Sequence, residues 1–298
     1  MPFHPTCFDI FTRLSRQQFG RVDIDGLMAW YVIDGDYESV HEFHVRVPDV
    51  RASAMQFWEH NDGMEYLAAN PLFVPGLSDI LRGAINMDPS FDPRASAFGG
   101  SVPAQAGMKG DADIFATLPE ELRLQILSYF PSKEIANLRL ASRTFHHLPI
   151  TLFRHLLLAE MPWLWEIWDD SPPYLWATVH ATSLKAEKGL KESIETALVP
   201  YRELIKQEMP KMLEDWMAAE RMFVDGRPDP VVEGYERALG ELVMGLPRQN
   251  TNWYVVYRDI TRHWKELMGL RNRERIWEII GEVVRRIGGY REEGRIVD

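Results

Sequence analysis

Several groups of residues have types that chemistry could use, and spacing decides against each. His4 and Cys7 fall in a His-Pro-x-Cys element that could start a metal site. Zinc wants four ligands and Cys7 is the only cysteine of the chain, so the pair reads as a remnant without a metal. Asp23-Ile24-Asp25-Gly26 hints at a calcium loop, but its first ligand position would be Arg21 and its twelfth Val32, where a glutamate is needed. That stretch, like Asp34-Gly35-Asp36, is expected to be a turn. His41-Glu42-Phe43-His44 has histidines three apart, whereas zinc proteases place them four apart on a helix. Gly99-Gly100-Ser101 is followed by no Gly-Lys-Ser/Thr and forms no G-x-S-x-G elbow. His146, His147 and His155 have no acidic residue or cysteine at ligand spacing. No catalytic residue, metal or cofactor is expected, and recognition becomes the chemistry to look for.

Composition agrees with a folded, acidic chain. Its 298 residues are 46% hydrophobic, with mean hydropathy -0.26 and ten Trp. That is enough to bury a sizeable core in two or three domains. The net charge is -11. Residues 1–112 carry 15 acids and 8 bases, residues 113–150 four of each, and the remainder 25 and 21. Partners whose binding is led by clustered Lys and Arg, namely nucleic acid and anionic membrane, are therefore not expected. No run of about 18 apolar residues occurs, the opening MPFHPTCFDIF lacks the pattern of a signal peptide, and one cysteine allows no internal disulfide. The expected address is cytosol or nucleus.

The elements converge on Leu118 to Leu148. Thr117 and Glu120 have the spacing of a capping box, and Pro119 suits a first turn. Leu122, Ile126 and Phe130 fall four apart, and Leu124 and Leu127 widen the stripe, so this helix is apolar over more than one face. Pro131 ends it. Ser132 then caps a second helix carrying Ile135, Leu138 and Leu140, and Ser142 a third, with Phe145 and Leu148 inward and Pro149 closing it. Helices this short need one another. The first has more apolar surface than two short neighbours can cover, and an exposed apolar edge of that kind meets a partner.

These residues resemble an F-box, the adaptor-binding module of Skp-cullin-F-box ubiquitin ligases. The resemblance runs through Leu118-Pro119-Glu120-Glu121-Leu122, Ile126-Leu127, Phe130, Glu134-Ile135 and Leu138-Arg139-Leu140-Ala141-Ser142-Arg143-Thr144-Phe145. Ala141 and Phe145 stand where the family often has Val and Trp. The resemblance implies that Leu118, Pro119, Leu122, Ile126, Leu127, Phe130 and Leu138 face or support a Skp-type adaptor and, through it, a cullin. It implies a non-catalytic receptor that holds an unknown protein target in its flanking regions. The other reading is an interaction protein that uses the same module outside any ligase. Two outer stretches resemble a group of filamentous-fungal F-box proteins. The first holds His4-Pro5-x-Cys7 and Val22-Asp23-Ile24-Asp25-Gly26, and the second runs from Asn252-Trp253-Tyr254 to Gly269 through Trp277.

The expected fold is mainly α. Residues 1–85 form a small mixed α/β piece, with Leu27 to Ile33 as an aromatic and β-branched run and Val40 to Val47 as a strand. Residues 86–112, rich in Pro and Gly, form a flexible linker. Residues 113–150 are the three-helix module, and 151–298 a helical region that binds the target. There Leu152 to Leu158 is an apolar helix, and Trp163, Trp165 and Trp168 form core rather than an anchor for substrate. Further helices are expected to end at Pro200, to run from Leu204 to Phe223 with a break at Pro210, and to start at Asp229-Pro230. Two more run from Tyr254 to Leu267 and from Arg273 to Ile287, closed by Gly288-Gly289. The cluster Arg271, Arg273 and Arg275 is expected to pair with Glu274, Glu278 and Glu282 on its own helix. No repeat of 20 to 50 residues is visible.

Overall fold

The computed structural model describes residues 4–34, 62–88, 90–93, 113–179, 181–225 and 229–296. Among them the chain is helical with no strand, and its one ladder contact is an isolated bridge between Ile85 and Thr251. The chain divides into two compact units. One joins Ile10–Ser171 with Val243–Asp298, the other Pro2–Asp9 with Pro172–Leu242.

The first unit begins in helix α1 (Pro5–Phe19) and continues with α2 (Ile24–Asp34), α3 (Leu77–Gly83), α4 (Glu120–Ser128), α5 (Ser132–Ala141) and α6 (Ile150–Glu160). The second unit holds the short α7 (Leu175–Thr178), the long α8 (Ala181–Glu208), α9 (Leu213–Asp225) and α10 (Pro230–Glu241). The chain ends, in the first unit again, with α11 (Trp253–Arg262) and α12 (Met268–Glu292).

Among the described residues of 1–85 no strand is found, so a mixed α/β piece is not supported. Leu27 to Ile33 lies in helix α2, although Val32 and Ile33 favour strands. Tertiary contacts decide it. Asp23 Oδ1 accepts from the Gly26 amide at 3.1 Å, as an N-cap does, so its stretch opens a helix and is not a free turn. Leu27 and Trp30, three apart, are buried, and Asp34 lies four further on. Asp34 accepts from Arg286 Nη1 at 3.0 Å and the Tyr290 hydroxyl at 2.7 Å, which holds α2 against α12. The strand expected over Val40 to Val47, the His41–His44 pair and most of the expected linker lie outside the described residues.

In α12 the expected stop at Gly288-Gly289 does not occur, and the helix runs on to Glu292. Its start is fixed by the loop before α3. Asn272 Nδ2 donates to the carbonyls of Leu67 (3.2 Å) and Ala69 (2.8 Å), and Arg273 Nε to that of Pro71 at 2.6 Å. Gly269 permits this approach. A Cβ there would stand 2.4 Å from Asn70 O and 2.8 Å from Val74 Cγ2. Gly269→Ala is therefore expected to destabilise the protein by about 1–3 kcal/mol, despite the better helix propensity of alanine. A shift in the urea midpoint would measure it, and an unchanged midpoint would contradict the packing described.

The Trp-rich segment is core, as its sequence suggested. Trp163 and Trp165 are buried, and Trp168 Nε1 donates to Pro162 O at 2.9 Å. Trp165 and Trp168 both lie near Trp277 of α12, with centroids 6.5 and 6.1 Å away. The guanidinium groups of Arg273 and Arg13 lie 3.6 and 4.6 Å from the Trp165 ring. The arginines of the cluster reach further than their own helix. Arg273 reaches the buried Glu166 and Arg271 lies over Tyr66, while Arg275 donates to Asn272 Oδ1 one turn back.

In the second unit, α8 packs against α9 and α10. It runs through Pro200, where a helix end was expected, because its packing outweighs one lost backbone hydrogen bond. Pro210 does break the chain, at a 3-10 turn (Pro210–Met212) before α9. Asp229 caps α10 by accepting from the Val231 amide at 2.8 Å, with Pro230 in the first turn.

Candidate functional site

The stretch singled out in sequence forms α4, α5, a 3-10 turn (Arg143–Phe145) and α6, preceded by another 3-10 turn (Ile114–Thr117). Its core is small and complete. Leu127, Phe145 and Leu157 are fully buried, and Ile135, Leu152 and Leu156 nearly so. Phe115 meets Phe145 edge-on at 5.1 Å. Helix α4 packs on α6, and α6 packs on α11 through Phe153 against Tyr254 (4.9 Å) and Tyr257 (5.8 Å).

The caps differ from those expected. The capping box of Thr117 and Glu120 does not form, because Thr117 belongs to the preceding turn and its hydroxyl donates to Ile114 O at 2.7 Å. Pro119 is the N-cap of α4 and provides no side-chain bond. Ser132 does not cap α5 with its side chain. Its amide donates instead to Glu160 Oε1 at 2.6 Å, 28 residues away. That places a carboxylate at the positive end of the helix. Glu160 Oε2 also accepts from the Tyr257 hydroxyl at 3.1 Å, so one side chain ties α5, α6 and α11. Ser142 starts no third helix, since its hydroxyl donates to Asp113 Oδ2 at 2.5 Å. The third helix is α6, beginning just after Pro149.

Asp113 is the clamp that sequence reasoning missed. It accepts from the amide of Phe115 (3.1 Å) and from the amide (3.2 Å) and hydroxyl (2.8 Å) of Thr144, in addition to Ser142. Burial alone would raise its pKa, but the hydrogen bonds of Ser142, Thr144 and Phe115 outweigh that and hold the carboxyl below its ordinary value. A depressed carboxylate contributes stability that is present above its unfolded pKa, about 3.9, and lost as pH falls through the folded one. Asp113→Ala is expected to cost about 0.5–2 kcal/mol at neutral pH. It should also flatten part of the acid limb of a stability-against-pH curve below about pH 4. Wild type and variant with parallel acid limbs would contradict the role.

The seven residues picked out in sequence separate into layers. Leu127 is core. Leu118, Ile126 and Leu138 are half-buried, and Pro119, Leu122 and Phe130 are exposed, Leu122 by 46% and Phe130 by 37%. Phe130 and Leu138 come together in one shallow concavity of about 420 Å³, which Lys133, Glu134, Asn137 and Ala141 complete. Ile114, Tyr129 and Leu140 are also exposed, Leu140 by 89%. An apolar periodicity that runs around a helix tells that some of it must face outward, but not which side chains. Among the described residues no group of three or more His, Cys, Asp or Glu could hold a metal ion, and no helix is long and apolar enough to cross a membrane.

Residues 115–159 match the family model described as F-box-like. The chain thus carries an F-box-like domain. The match takes in the first 3-10 turn from Phe115 on, the second turn and all of α4 and α5, and reaches into the last turn of α6. Leu122 and Phe130 both lie within the matched residues, and F-box domains generally bind Skp-type adaptors. A stretch of 52 residues, 17% of the chain, is 44% identical to part of "ATP-dependent RNA helicase mss116, mitochondrial" of Aspergillus oryzae (strain ATCC 42149 / RIB 40). It spans 8% of that protein's length. No solved structure matches.

Proposed function

We propose that the chain is a substrate receptor of a cullin-based ubiquitin ligase, docking a Skp-type adaptor through its F-box-like domain. Leu118, Pro119, Leu122, Ile126, Phe130 and Leu138 form the docking face, and Leu127 supports it from the core. The observation that carries this reading is the exposure of Leu122 and Phe130, the latter lining a concavity with Leu138, in a domain whose own core is already filled. Apolar side chains left outside a complete core are stabilised by a partner. The receptor performs no bond chemistry. Its flanks, residues 1–85 and 151–298, hold a protein target, so that a lysine of that target gains effective concentration at the charged ubiquitin enzyme. A soluble cytosolic or nuclear setting suits this role.

Co-purification of the tagged full chain tests it, with Leu118→Ala/Pro119→Ala beside wild type. Adaptor and cullin should accompany wild type, and both should be lost from the folded double variant. Adaptor without cullin would assign the domain a binding role outside a ligase. Absence of the adaptor from folded wild type would overturn the proposal.

A further inference from the structure

A second concavity, of about 550 Å³, lies between α6 and the segment that leads into α11. Arg154, His155 and Thr151 line it from α6, Arg248 and Gln249 from the other wall, and Trp253 closes it. Arg154 reaches over the Trp253 ring, its guanidinium carbon 5.5 Å from the centroid. The Trp253 indole in turn donates to Arg248 O at 3.3 Å, which braces the wall opposite α6. Among the described residues neither guanidinium is paired with a carboxylate, and Arg154 Nε is buried without a hydrogen-bond partner. Burial, then the like charge of Arg248, both disfavour the charged form of Arg154. The two cations line the concavity against a single carboxylate, Asp92, which leaves an excess of positive charge that a bound anion relieves.

We propose that this concavity binds a phosphate monoester between Arg154 and Arg248. The inference does not rest on adaptor docking, which is proposed for other residues of the domain. A phosphate monoester carries close to two negative charges and three terminal oxygens. It can satisfy both guanidinium groups at once, whereas a carboxylate has only two oxygens for two planar forks. The Thr151 hydroxyl and the Gln249 amide supply neutral donors on the same walls. A phosphodiester backbone is disfavoured, because the site is a single pocket rather than a basic track.

Calorimetric titration of the full chain tests this, using inorganic phosphate, O-phosphoserine, a phosphoserine peptide with its unphosphorylated twin, and a single-stranded RNA oligomer. Phosphate probes are expected to bind with a dissociation constant of about a millimolar or tighter. Arg248→Gln, at an exposed position, is expected to keep the fold by circular dichroism and to weaken them about tenfold or more, and Arg154→Gln likewise. Equal binding of inorganic phosphate and peptide would identify a free phosphorylated small molecule as the source. Tighter binding of the phosphopeptide would identify a phosphorylated side chain, and either result supports the site. No binding of any phosphate probe by folded wild type overturns it. So does binding that both arginine variants retain in full, or RNA binding stronger than that of every monoester.

Discussion

Replacement of Glu166 by alanine is expected to remove about 3–5 kcal/mol of stability, because it leaves a buried guanidinium without its counter-ion. Arg273 is wholly buried, and its Nη1 donates to both Glu166 oxygens, at 2.9 and 2.8 Å. Its Nε is committed to Pro71 O, and its plane lies 3.6 Å from the Trp165 centroid. The side chain has no route to water that would spare these contacts. A domain has only about 5–15 kcal/mol in total, so the single variant should unfold at far lower urea than wild type. Glu166→Leu/Arg273→Met removes both charges together and should lose less than either single change. A loss below about 1 kcal/mol for Glu166→Ala would show that the pair does not organise this core.

Leu127→Ala is expected to cost about 2–5 kcal/mol, and Leu122→Ala, one turn and a residue earlier, less than about 1. The two leucines have the same chemistry and sit on the same short helix. Leu127 is fully enclosed, so truncation leaves a cavity inside a small core, whereas Leu122 already meets solvent. The F-box-like core is too small to redistribute the loss. Denaturant unfolding of both variants reads the contrast directly. Equal destabilisation would mean that α4 is oriented differently and that the docking face is not the one described.

Much of the fold was legible because it rests on local signals. The helices of the C-terminal half follow from apolar spacing, from Asp229-Pro230 at a helix start and from Pro210 at a break. The three tryptophans of residues 163–168 were readable as core because they interrupt a polar surface with more apolar area than a single face can leave exposed. What escaped depended on distance along the chain. Glu160 caps α5 from 28 residues away, Asp113 holds Ser142 from 29, and Arg273 finds Glu166 at a separation of 107. Local rules offered Ser132 and Ser142 as side-chain caps and the glutamates of the same helix as partners of Arg273, whereas the structure draws on Glu160, Asp113 and Glu166. Leu27 to Ile33 misled for the related reason that packing on α12 overrides the β preference of Val32 and Ile33. Of the candidate site, composition and order pointed to the segment that matches the F-box-like model, but which of seven apolar residues face outward required the fold.

The most direct measurement is the affinity of a purified Skp-type adaptor for the full chain, by calorimetry, with Leu122→Glu/Phe130→Glu as the comparison. Both positions are exposed, so the variant should keep wild-type unfolding behaviour. Wild type is expected to bind, and the variant to lose about a hundredfold in affinity or more, as two central apolar anchors would. Equal affinity for wild type and variant would contradict the account, since the adaptor would then be using another surface of the molecule.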